Sequence, residues 1–209
     1  MLYRDVLGCG IAGNFALHLE QAGESADFKD LVVDDPNGPK GIFPFYLKGF
    51  KTQLGTYPLS STQITLPTYE ANIQAEPEVA LLCELSYTDN IITSVAPIEA
   101  FAYNDCSIRR EGATKISQKK NWGENSKGIS ANSLKLNTFS KGGTLESYRI
   151  ASFLRRDDEL HVYGEDVEVS GYSYFNEKLT SWIMKQLNEQ IDTGPLEPIS
   201  EYIKECNYP

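Results

Sequence analysis

The pattern of apolar and polar positions changes period twice along this chain. Near the start, Phe15-Ala-Leu-His-Leu-Glu-Gln-Ala22 has helical spacing, with Asn14 placed to cap the helix and Gly23 to end it. A short strand pattern, Leu2 to Leu7, precedes the glycines Gly8, Gly10 and Gly13. Asp34-Asp-Pro-Asn-Gly-Pro39 is a turn cluster, and Gly41-Ile-Phe-Pro-Phe-Tyr-Leu-Lys48 reads as an extended aromatic segment. From Gln63 to Val169 the pattern shortens to β-type runs: Ile64-Thr-Leu, Val79-Ala-Leu-Leu, Ile91-Ile-Thr-Ser-Val, Ile98 to Tyr103, Tyr148 to Phe153 and Glu159-Leu-His-Val-Tyr. Ser117 to Ser133 is polar and reads as a long loop. Helical spacing returns from Phe175 to Ile191, through Leu179, Trp182, Ile183 and Leu187, and Pro198 to Glu205 predicts a last short helix. The predicted class is α+β, predominantly β, with helices at the periphery. We expect one domain over 1–209, in which 1–60 packs a helix and the aromatic segment on the β-rich core of 61–209.

Composition narrows the function classes. An apolar content of 41% supplies a sizeable core and argues against disorder. A net charge of −10 argues against a nucleic-acid footprint or an anionic membrane surface as partner. Cys9, Cys83, Cys106 and Cys206 are scattered, without a Cys-x-x-Cys pair, which reads as free thiols in a reducing compartment. No stretch reaches the roughly 18 apolar residues of a membrane span, and the first residues carry no signal-peptide core. The expectation is a cytoplasmic protein.

Three carboxylates stand out. In Gln74-Ala-Glu-Pro-Glu-Val, a strand of period two points Glu76 and Glu78 to one face. Asp105 follows the apolar run Ile98 to Tyr103, which predicts a second strand. Two acids from one strand and one from a neighbour make an all-oxygen site suited to Mg²⁺ or Mn²⁺ rather than zinc. The competing reading is that they are solvated surface acids of an acidic protein. A different motif competes for the functional assignment: Gly8-Cys-Gly10-Ile-Ala-Gly13 fits a dinucleotide-binding loop, with Asp34 as its later acid. That reading predicts an oxidoreductase, but β-α alternation stops at Asp35.

Read in order, the motifs resemble the fumarylacetoacetate hydrolase superfamily over most of the chain. Asn14-Phe15-Ala-Leu-His18 is similar to that family's asparagine–aromatic–histidine helix, and Phe43-Pro-Phe-Tyr-Leu-Lys48 to its aromatic segment. Ile64-Thr-Leu-Pro67, Glu76-Pro-Glu78 and Asn104-Asp105-Cys-Ser107-Ile-Arg109 follow in family order. Trp122 and Lys127 resemble its tryptophan and site lysine, and Leu160-His-Val-Tyr-Gly-Glu165 a strand–turn element.

The resemblance implies a mixed β-sandwich or roll of the superfamily's C-terminal-domain type. It also implies Mg²⁺ or Mn²⁺ held by Glu76, Glu78 and Asp105, a homodimer, and a small 2-oxo acid or 1,3-dioxo substrate. The ion would stabilise an enolate during C–C hydrolysis, decarboxylation or tautomerisation. Lys127 would add positive charge and His18 would serve as general base, while Arg109 and Asn104 would bind substrate. His161 and Cys106 read as structural. Where the family places a glutamate after the histidine, this chain has Gln21, with Glu20 and Glu24 as imperfect stand-ins; Arg110 replaces an aspartate. The family's late Thr-Gly-Thr-Pro loop is reduced to Thr193-Gly194-Pro195. Water activation is therefore less secure than the carboxylate cluster, and a non-catalytic binding or structural descendant is the alternative.

Overall fold

The fold comes from a computed structural model, which describes residues 3–15 and 35–206. Glycine and aromatic residues set the first pairing: β1 (Leu7–Ala12) lies antiparallel to β2 (Gly41–Leu47). A Cβ on Gly8 would come within 2.5 Å of the Phe45 ring, and one on Gly10 within 2.1 Å of Phe43. These two glycines let aromatic rings approach the neighbouring backbone closely. The strand therefore covers the glycine segment, where sequence spacing placed it at Leu2 to Leu7. Gly8 and Gly10 do not form the strand-to-helix turn that a dinucleotide loop needs.

The apolar runs of the middle of the chain fuse into longer strands. After β3 (Leu59–Ser60) and β4 (Ile73–Gln74), β5 (Pro77–Thr88) and β6 (Ile91–Asn104) form one long antiparallel hairpin. Its two-residue turn, Asp89-Asn90, has φ of 51° and 63°, the left-handed pair that matches strand twist. Pro97 is tolerated because it sits at a register shift opposite Leu82 and Cys83. The ribbon continues, in the same register, from β4 to β7 (Ser107–Ile108), with a break between them at Ala75-Glu76 and Asp105-Cys106. β8 (Lys127–Ile129) and β9 (Leu134–Lys135) add to β6, giving a five-stranded sheet of order β3-β8-β6-β5 with β9 also on β6.

Two expectations change here. Ile64 to Leu66 is not a strand; it runs as an irregular bridge in which Thr65 bonds Asn125 and Trp122. Ser117 to Ser133 is not simply a loop, for it contains α1 (Ser117–Lys120) and β8.

Beyond it, β10 (Arg149–Ile150) pairs with β13 (Val167–Glu168). Between them, β11 (Phe153–Arg156) and β12 (Glu159–Val162) make a hairpin exposed on both faces, His161 included. The predicted amphipathic helix is α2 (Asn176–Glu189), and the last is α3 (Ile199–Cys206). Leu187 of α2, with Ile199 and Ile203 of α3, packs on Ile42, Ile92 and Val95. Leu179, near the other end of α2, joins Ala100, Phe139, Leu145 and Val169. The architecture is thus mixed α+β and strand-rich, and among the described residues no sheet closes into a barrel. No described helix is long and apolar enough to cross a membrane.

Candidate functional site

The break in the β4/β5–β6/β7 ribbon is where the acids of interest gather. Pro77 has no N–H to donate, so the ladder lapses as the chain enters β5. Asp105 N–H bonds the Glu76 carbonyl at 2.8 Å, and the Asn104 side-chain oxygen accepts from Glu76 N–H at 2.9 Å. Those contacts hold the two strands together across the gap and turn the Glu76 and Asp105 side chains towards β8 and α1. Asn104 is thus engaged in bridging the gap in the ribbon.

Two lysines meet these acids. β8 pairs Asn104 with Gly128, so the next register position puts Lys127 beside Asp105. Its Nζ lies 2.5 Å from Asp105 Oδ1 and also donates to the Cys106 carbonyl at 3.1 Å. Lys120, the last residue of α1, places Nζ 2.6 Å from Glu76 Oε2 and 2.7 Å from Asp105 Oδ2. Both lysines are buried, Lys127 completely. Beneath them, β2 offers ring faces: Lys120 Nζ is 5.4 Å from the Phe43 centroid and Lys127 Nζ is 5.4 Å from that of Phe45. The other Glu76 oxygen accepts from the Ser107 hydroxyl, with Arg109 at 3.8 Å. Arg109 also donates to the Gln74 side chain, from Nε at 3.0 Å.

Charge explains the ionisation states. Burial would raise the Asp105 carboxyl, but Lys120 and Lys127 outweigh it and hold the group below its ordinary value. Lys120 is opposed by burial in the same way, yet Asp105 and Glu76 raise it. Lys127 is fully buried and repelled by Lys120, so it falls below its ordinary value despite Asp105. Glu78 differs. It has no lysine in contact; it accepts from the Tyr172 hydroxyl at 2.5 Å, and burial first, then Asp105 and Glu76, push it up to about 7. Tyr172 and Tyr103 are raised well above the usual phenol range, burial being the main cause, so both stay neutral.

Glu76, Glu78, Asp105, Lys120 and Tyr172 all line one open cavity of about 1070 Å³ between β1 and β5. Its walls are mostly apolar, from Phe43, Leu81, Leu179 and their neighbours. The structure thus brings Glu76, Glu78, Asp105, Lys127, Asn104 and Arg109 into one region. His18 lies outside the described residues, as do Gln21, Glu20, Glu24 and Asp34. Asn14, expected as a helix cap, uses its amide to clamp the backbone of Tyr174. Sequence reasoning missed Lys120, Tyr172 and Ser107. Lys120 sits in a lysine-rich polar stretch with no periodicity to mark it as buried, and Tyr172 is 94 residues from the glutamate it meets.

The carboxylates do not fit a divalent ion as they are held. All four oxygens of Glu76 and Asp105 accept from an ammonium or a hydroxyl. Among the described residues, no group of three or more His, Cys, Asp or Glu side chains is arranged to hold a metal.

Residues 24–209 match the model of DUF5718, a family of unknown function. No curated protein and no solved structure matches the chain.

Proposed function

The chain belongs to the DUF5718 family, and we propose that it binds a small oxo acid and moves a proton beside its carbonyl. Keto–enol tautomerisation or decarboxylation is the reaction class. The observation that carries this reading is the pairing, on one cavity, of a fixed buried cation, Lys120, with a carboxyl poised near neutrality, Glu78. The order of motifs shared with the fumarylacetoacetate hydrolase superfamily supports it, as does the strand-rich fold. A fold of that superfamily's C-terminal-domain type, in a homodimer, belongs to the same proposal.

In this reading ionised Glu78 removes the proton next to the carbonyl, and the electron pair moves onto the carbonyl oxygen as an enolate. The positive field of Lys120 favours that oxygen anion, and Glu78 returns the proton to carbon or oxygen. In decarboxylation of an oxo acid whose carboxylate is β to the carbonyl, as in oxaloacetate, the electron pair comes instead from the breaking C–C bond, carbon dioxide leaves, and protonated Glu78 supplies the proton to the enolate carbon. When Glu78 is protonated, Lys120, Lys127 and Arg109 outnumber Glu76 and Asp105 by one charge, which suits a monoanion. Hydrolysis would need a base for water.

The test is proton NMR in D₂O with pyruvate, 2-oxobutyrate, oxaloacetate and an acylpyruvate. Exchange at C3, or loss of carbon dioxide, above buffer is expected. Glu78→Gln should slow it by roughly a hundredfold or more. Absence of exchange and decarboxylation across that panel sinks the enzymatic reading. A second reading is favoured by the internal pairing of Glu76 and Asp105 with lysines: a binding module whose charges serve the fold. Saturable oxo-acid binding without any turnover is its signature.

A further inference from the structure

We propose that Lys120 is the resident cation of this site, occupying with its ammonium group the place where the spacing of Glu76, Glu78 and Asp105 predicts a divalent ion. The geometry is that of a cation seat. Nζ bridges two carboxylates from separate strands, at 2.6 Å and 2.7 Å, and reaches the Asp105 carbonyl oxygen at 3.5 Å. An ammonium has three hydrogens, and all three face these oxygens. The residue is 3% exposed and its Nζ lies over the Phe43 ring, so these acids rather than solvent hold the ammonium in place. It comes from α1, whose first residue is anchored by Ser117 N–H bonding the buried Glu197 carboxylate at 3.1 Å.

A divalent ion would have to expel that ammonium. It would then face Lys127, which is completely buried and 2.5 Å from the other Asp105 oxygen. With Lys127 still on Asp105, that carboxylate would be shared between the ion and a buried ammonium, which disfavours the exchange. Glu78, the remaining acid, is turned to Tyr172 and lacks a cation in contact; burial first, then Asp105 and Glu76, raise it. The site is therefore complete in charge without a metal, and chemistry there draws its positive field from the chain itself. This inference concerns the seat, not the reaction, because ion binding is read with no substrate present.

Mn²⁺ titration, followed by calorimetry and by the EPR signal of the free ion, tests it on chelator-treated full-length protein. The wild type should show no saturable site up to about 1 mM. Lys120→Met, which empties the seat, should gain one Mn²⁺ site roughly a hundredfold tighter, lost again when Glu76→Gln is added. One-site Mn²⁺ binding by the wild type that disappears in Glu78→Gln overturns the proposal. So does failure of a folded Lys120→Met to bind, since the acids then form no cation seat. Should Lys120→Met not fold, Lys120→Gln is refolded with and without Mn²⁺. Recovery only with the ion supports the seat, and no recovery with it refutes the seat.

Discussion

Glu78→Gln isolates the free energy stored in one buried carboxyl. In the folded chain the group rises from 4.5 to about 7, chiefly through burial, with Asp105 and Glu76 adding repulsion. The folded state therefore holds a proton there between about pH 4.5 and 7 that the unfolded state has released. Stability falls with rising pH wherever the folded state binds more protons, so this contribution is intact below pH 4.5 and lost by about pH 7. Its size follows from the change in affinity for the proton, about 3 kcal/mol. Glutamine has a similar shape, can accept from the Tyr172 hydroxyl, and does not titrate. Urea unfolding of both proteins in metal-free buffer, from pH 4.5 to 8.5, gives the difference directly. The variant should gain about 3 kcal/mol on the wild type across that range, most of it between pH 5 and 7. Parallel profiles would mean that Glu78 is hydrated in the folded state, and the proton-transfer role would lose its basis.

Asp105→Asn should cost about 3 to 5 kcal/mol in urea unfolding, because Lys127 is left buried without its carboxylate. Adding Lys127→Met should recover much of that loss; additive losses would refute the coupling. Gly10→Ala should cost about 1 to 3 kcal/mol, since its Cβ would lie 2.1 Å from the Phe43 ring. An unchanged melting temperature in that variant would contradict the close approach.

Period and punctuation made β2, the β5–β6 ribbon and the last two helices readable, whereas β3, β4, β7, β8 and β9 hold only two or three residues each, too few to show a period. The alternation around Val79 and Ile91 marked the β5–β6 ribbon, and Leu179, Trp182, Ile183 and Leu187 marked α2. Local pattern says nothing about which strand edge a residue will face. Gly8 and Gly10 have the spacing of a phosphate loop, yet in the fold Phe45 and Phe43 pack closely against them. For the site, spacing gave Glu76, Glu78 and Asp105, and family resemblance added Lys127. Lys120 could not be found this way: a buried lysine and a solvated one have the same letter, and only the arrival of two carboxylates decides between them. Tyr172 depends on a contact between distant parts of the chain, which no window of sequence contains.

The Asp89-Asn90 turn also has a temporal meaning. A two-residue turn brings β5 and β6 together with little loop-closure entropy, so this ribbon is the natural early structure of the folding chain. Its pairing sets Glu76 beside Asp105 before any lysine is in place. Lys120 and Lys127 follow from only 15 and 22 residues beyond Asp105, whereas Tyr172 must return across 94 residues to Glu78. The expected order of assembly is anion pair, then neutral cluster, then buried carboxyl. Screening of that first repulsion should speed refolding as salt is added, and a salt-independent refolding rate would argue for a different order of events.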